Sequence, residues 1–128
     1  MLTADQKALF EGKNFGHLAT LMPDGSPQVS PVWVDLDGDD IIVNTAEGRL
    51  KASNVQRDPR VAISVADQED PYSRVVVRGV VVEMTHERAD EGIDRLAKKY
   101  LSQDRYPWRD PDERRVILRI RPEHVAAM

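Results

Sequence analysis

The chain has 128 residues, 31% of them charged and 41% hydrophobic, with a formal net charge of −4 and no cysteine. That length suits one domain, 1–128, with a core of its own, and the negative balance argues against general attraction to nucleic acid or an anionic membrane. The missing thiols exclude disulfides, thiolate metal sites and cysteine nucleophiles. MLTADQKALFEGKN at the N-terminus has no apolar signal core, and no segment approaches the roughly 18 apolar residues of a membrane span, so a cytoplasmic protein is expected.

Thr3 followed by Gln6 forms a capping-box pattern that predicts a short helix over 3–12. FGHLATLM (15–22) reads as a strand, and PDGSP (23–27) as a turn, because Asp-Gly supplies the positive φ that hairpins need. QVSPVWVDL (28–36) alternates, with Pro31 suggesting an edge or a bulge. After the DGDD turn, IIVNT (41–45) is the third strand. Gly48 opens a short helical segment that ends by Arg57, before Asp58-Pro59.

RVAISVAD (60–67) and RVVVRGVVVEMT (74–85) are the fourth and fifth strands, with Gly79 marking a bulge or bend. HERADEGIDRLAKKYL (86–101) places Ala89, Ile93, Leu96, Ala97 and Tyr100 at helical spacing. A polar loop, SQDRYPWRDPDE (102–113), leads to a last alternating strand, RRVILRIRP (114–122), with Val116, Leu118 and Ile120 on one face. Six short strands with close turns do not make a parallel βαβ series. They predict a mainly β fold: an antiparallel sheet closed into a small barrel, with the longer helix crossing between the fifth and sixth strands.

One stretch asks for a chemical reason: TAEGRLKASNVQRDPR (45–60) gathers two cations and small polar side chains where a strand gives way to a helix. The free N–H groups of a helix N-terminus favour an anion, Arg49 offers a planar fork, and Lys51 adds a point charge. Asn54 lies near Lys51 on the helix, and Thr45 brings a hydroxyl to the strand end. The segment reads as a phosphate or carboxylate cradle. The other reading, which the pattern alone favours because charge runs usually face water, is a solvated basic helix with Asn54 facing the sheet.

Other signals are weaker. His17, His86 and His124 lack metal-ligand spacing, so no metal is expected. There is no G-x-S-x-G, no P-loop and no G-x-G-x-x-G. Trp33 suits a core or a cavity wall. Trp108, beside Arg109 in a polar loop, suits a pocket lid, an interface or a loop anchor.

Taken in order, Leu-Ala-Thr, Asp-Gly-x-Pro, a Pro-x-Trp strand, Thr-x-x-Gly-Arg-x-Lys-x-x-Asn and Arg-Asp-Pro-Arg resemble the pyridoxamine 5′-phosphate oxidase-like superfamily. The resemblance covers residues 10–122, and its Gly-Arg-x-Lys block looks most like the branch that uses the deazaflavin coenzyme F420. It implies a six-stranded split β-barrel (the flavin mononucleotide, FMN, binding type) working as a homodimer with cofactor sites at the interface. Residues matching Arg49 and Lys51 would bind the anionic tail, with Asn54 nearby. Gln28, Ser30 and Val32 would line the ring, and Asn44, Thr45 and Ala46 would lie beneath the ribityl chain. Tyr72 and Trp108 would contact cofactor from the second subunit.

FMN users of the superfamily show an arginine on the second strand, and QVSPVWV has none, which favours F420 over FMN. The implied activity is hydride transfer from reduced F420 to a conjugated acceptor: a quinone, an enone or a tetrapyrrole such as biliverdin. An FMN oxidase or reductase, and a cofactor- or haem-binding protein without turnover, are the alternatives. No catalytic side chain is evident. Tyr72 and His17 are weak candidates for a proton donor.

Overall fold

The expected capping box forms. The Thr3 hydroxyl accepts from Gln6 N, the Gln6 amide accepts from Thr3 N, and the helix α1 runs Ala4–Glu11. The computed structural model describes residues 1–127. After α1 come β1 (Gly16–Leu21), β2 (Pro27–Val32), β3 (Val34–Asp37), β4 (Asp40–Ala46), α2 (Leu50–Arg57), β5 (Arg60–Ala66), β6 (Arg74–Thr85), α3 (Ala89–Leu101) and β7 (Arg115–Ala127).

All strand pairs are antiparallel, in the order β2-β1-β5-β6-β7-β4-β3. β2 and β3 stand at the two ends of that order, yet only Trp33 separates them. The sheet therefore curls until its edges meet through the chain itself, which is the split β-barrel. Seven strands replace the expected six because 28–36 breaks at Trp33. The local cause is a hydrogen bond: Val34 N donates to the Tyr100 hydroxyl at 3.0 Å, and that hydroxyl donates to Asn14 O at 2.6 Å. Burial pushes the Tyr100 phenol up to about 12, so it stays protonated and able to make both bonds.

The alternating strands put Leu18, Val34, Ile41, Val43, Ile63, Val65, Val75, Val77, Leu118 and Ile120 inside one core, with Phe10 from α1 wholly buried among them. Gly79 makes the expected irregularity, a register shift between Arg78 and Gly79. A side chain there would run into the carbonyl of Arg121. Pro122 faces Gly79 across this bulge. A proline inside a long strand is therefore tolerated, and β7 continues to Ala127 instead of stopping at 122. α3 begins at Ala89, later than expected, because Arg88 takes a left-handed turn (φ 60°) before it. α3 packs on β4 and β7, and α2 on β1 and β4. Among the described residues, no helix is long and apolar enough to cross a membrane.

Candidate functional site

The end of β4, the turn into α2, the β2–β3 break, α3 and the 102–114 loop converge on one cleft of about 210 Å³. Gly48, at φ +85°, turns the chain from β4 into α2. Arg49 becomes the residue that precedes the helix, without a capping side chain, and Lys51 lies in its first turn.

One wall is cationic. Arg49, Lys51 and Arg115 all line the cleft. Arg49 Nη2 donates to Glu113 Oε2 at 2.8 Å, and Arg115 Nη1 donates to Glu113 Oε1 at 2.5 Å. Arg115 Nε also donates to Asn44 Oδ1 at 2.9 Å, which fixes the plane of its guanidinium. Lys51 has no hydrogen bond or ion pair among the described residues. Burial, then the positive charges of Arg49 and Arg115, push its ammonium below its ordinary value. Beside these cations the Thr45 hydroxyl is buried with no partner among the described residues. A lone half-buried lysine between two arginines, next to an unsatisfied hydroxyl, is a costly arrangement for the fold by itself. An anion in the cleft relieves both costs.

The other wall is aromatic. Trp33 stacks on Tyr100 with centroids 5.2 Å apart and planes within 6°. Tyr106 meets Trp33 edge-on at 6.0 Å, and Trp108 lies 6.5 Å from Trp33 and 5.7 Å from Tyr106. The loop that brings Tyr106 and Trp108 here is held by Asp94 of α3, which accepts from Tyr106 N at 2.8 Å and Arg109 Nη2 at 2.5 Å. Trp108 packs against both rings yet remains 62% exposed.

Of the residues expected from the sequence, Val32, Asn44, Thr45, Arg49, Lys51 and Trp108 line this cleft. Asn44 does so while fully engaged, since its Nδ2 donates to Ala89 O at 2.8 Å and its Oδ1 holds Arg115. Gln28 and Ser30 share the inward face of β2 with Val32 but stand away from the cleft, and Tyr72 is 81% exposed on another loop. Ala46 is 1% exposed and does not reach the cleft.

Asn54 is a correction. It is completely buried, its Nδ2 donates to the Thr20 hydroxyl at 3.0 Å, and its Oδ1 accepts from Arg57 Nη2 at 3.1 Å. It belongs to the packing of α2 on β1 and does not serve a ligand beside Lys51, because α2 turns its 54 position toward the sheet. Replacing Asn54 with alanine leaves the Thr20 hydroxyl with a long contact to Gln28 Oε1 at 3.5 Å and removes one Arg57 contact. It should cost about 1–3 kcal/mol of stability in urea unfolding. Ligand affinity should stay within about twofold, and a large affinity loss with little change in unfolding would restore Asn54 to the site.

Arg115 and Tyr106 were not anticipated as site residues. The alternation in RRVILR did place Arg115 on the face opposite Val116. Only the packing of α3 on β7 shows that this face is covered, leaving Arg115 just 7% exposed.

A family model described as pyridoxamine 5′-phosphate oxidase matches residues 2–128. Among solved structures, one named F420 Reductase is 31% identical, with TM-score 0.86, covering 99% of this chain and 100% of that one. A conserved hypothetical protein from Mycobacterium tuberculosis is 25% identical, with TM-score 0.74, covering 98% and 82%. General Stress Protein 26 from Bacillus anthracis, at 16% identity, TM-score 0.70 and coverage of 94% and 88%, shares the fold.

Proposed function

Because the chain belongs to the pyridoxamine 5′-phosphate oxidase family, we propose that its cleft takes coenzyme F420 and that the protein is a reductase. The acceptor in this reading is a conjugated small molecule such as a quinone, an enone or a tetrapyrrole of the biliverdin kind. The observation that carries it is Lys51: a half-buried ammonium without a counter-charge among the described residues, near two arginines and beside the Thr45 hydroxyl, which has no partner among them. The 31% identity to F420 Reductase over the full chain supports the choice of cofactor.

When bound, the deazaflavin supplies the hydride. The protein's part is position and electrostatics. Lys51 would hold the anionic portion near the start of α2, Arg49, paired with Glu113, would add positive field beside it, and Thr45 would donate its hydroxyl to the same region. Trp33 and Trp108 offer flat apolar faces for a ring, and with Tyr106 they keep water from it. Arg115, held by Asn44 and Glu113, would keep fixed positive charge at the cleft floor, where it would favour the negative charge that an acceptor gains on receiving a hydride. No side chain in the cleft is assigned as the proton donor.

The reading includes a homodimer. Tyr72, Val29 and Phe15 are 81%, 63% and 51% exposed in one chain, and a second copy would cover such apolar surface and bring further walls to each cleft. A flavin mononucleotide cofactor is the second reading, favoured by the family to which the chain belongs.

Fluorescence titration of the purified protein with F420 and, separately, with FMN tests both. Micromolar or tighter F420 binding with weaker FMN binding is expected, followed by oxidation of reduced F420 by at least one conjugated acceptor. If neither molecule binds, the cleft is not a cofactor site. Sedimentation should give twice the 14.5 kDa chain mass, and a monomer that binds F420 at full strength would remove the dimer from the reading.

A further inference from the structure

The two arginines of the cleft already hold an anion. Glu113, the third residue before Val116, sends one carboxylate oxygen to each: Oε2 to Arg49 at 2.8 Å and Oε1 to Arg115 at 2.5 Å. Its side chain is 18% exposed, and its backbone N donates to Asp110 O at 3.0 Å, closing the turn that leads into β7. Burial works to raise the Glu113 carboxyl, but the hydrogen bonds and charges of Arg115 and Arg49 outweigh it and hold the group below the ordinary carboxylate range. Glu113 is therefore charged at neutral pH. It occupies the place between two guanidinium forks that a ligand phosphate would take.

We propose that Glu113 is the specificity residue of this cleft: it excludes a terminal phosphate monoester from the Arg49–Arg115 pair and leaves Lys51 as the free cation, so that a singly charged phosphodiester or carboxylate is preferred. The inference rests on reading the cleft as the cofactor site. A phosphate monoester carries close to two charges at neutral pH. Placed against Arg49 and Arg115 it would either displace a carboxylate already bonded to both or sit beside it at like-charge distance. A phosphodiester needs one strong cation, and Lys51 has all three donors unengaged among the described residues. FMN ends in a monoester. F420 has an internal phosphodiester and a carboxylate tail. Glu113 thus separates two cofactors whose ring systems would fit the same aromatic wall.

The test compares wild type with Glu113→Gln and Glu113→Asp, using FMN and riboflavin as probes. Riboflavin has the same ring and ribityl chain without the phosphate, so the ratio of the two dissociation constants reads the phosphate alone. In wild type the ratio should be near one. In Glu113→Gln, where the side chain keeps its size and loses its charge, FMN should bind tenfold or more tighter while riboflavin is unchanged. Glu113→Asp keeps the charge and should keep the discrimination. The proposal is overturned by a wild type that already binds FMN well over tenfold tighter than riboflavin, by FMN affinity that is unchanged or lower in Glu113→Gln, or by an equal gain in Glu113→Asp. Matching thermal unfolding of the three proteins establishes that the fold is intact. F420 titrated into the same wild-type sample reports separately on the cofactor reading: it fails if F420 does not bind, whatever the FMN ratio does.

Discussion

Lys51→Ala should weaken F420 binding by about 10- to 150-fold, the equivalent of about 1.5–3 kcal/mol for a charge-assisted hydrogen bond. Thermal stability should be unchanged or slightly higher. Lys51 has no partner among the described residues, and burial with two neighbouring cations opposes its charge, so removing it relieves an unfavourable term. The pH dependence has a definite sign. The lysine is pushed below its ordinary 10.5 in the free protein, and a bound anion favours the charged form. Affinity is therefore full at pH values below the lowered pKa and falls as pH rises through it. A titration series from about pH 7 to about pH 10 should show this decline in wild type and a flatter profile in Lys51→Ala. Equal affinity of the two proteins at neutral pH would return residues 45–60 to an ordinary solvated helix.

Phe10→Ala should cost about 3–5 kcal/mol in urea unfolding, the usual range for emptying a buried aromatic site. Phe10 is wholly buried where α1 packs against β3, β5 and β6. The site has little freedom to collapse. Lys99 of α3 donates its Nζ to both Phe10 O at 2.7 Å and Val34 O at 2.6 Å, so the end of α1, the start of β3 and α3 are tied at one point. A loss of that size is a large part of the 5–15 kcal/mol that holds a typical domain folded. It also reaches the cleft, because Val34 follows Trp33 directly. The expected variant has a much lower unfolding midpoint and a weaker Trp33–Tyr100 stack, visible in near-ultraviolet circular dichroism. A cost under about 1 kcal/mol would mean that α1 is an appendage to the barrel and not part of its core.

Much of this protein was readable from local chemistry. Thr3 and Gln6 identify the first helix, Asp24-Gly25 the first hairpin, Gly79 the bulge in β6, and the period-two valines and isoleucines the strands. Each of these depends on neighbours within a few positions. The block around Arg49 and Lys51, together with its flanking patterns, was specific enough to point to the family and hence to the split barrel.

Tertiary structure decided the rest, and the reason is common to every case: the outcome depends on a partner distant in the chain. The strand around Trp33 breaks because Tyr100, 66 residues away, accepts the Val34 N–H. Asn54 faces inward because α2 docks on β1, where Thr20 waits 34 residues away. Arg115 becomes a buried cleft residue because Asn44, 71 residues away, holds its guanidinium under α3. Glu113 meets Arg49 across 64 residues and turns a polar loop into part of the site. The sequence by itself determined the elements, their alternation and the presence of two cations at the start of α2. Which of those charges is left without a partner, and so is available to a ligand, was decided only when the barrel closed and brought Glu113 to the arginines and not to the lysine.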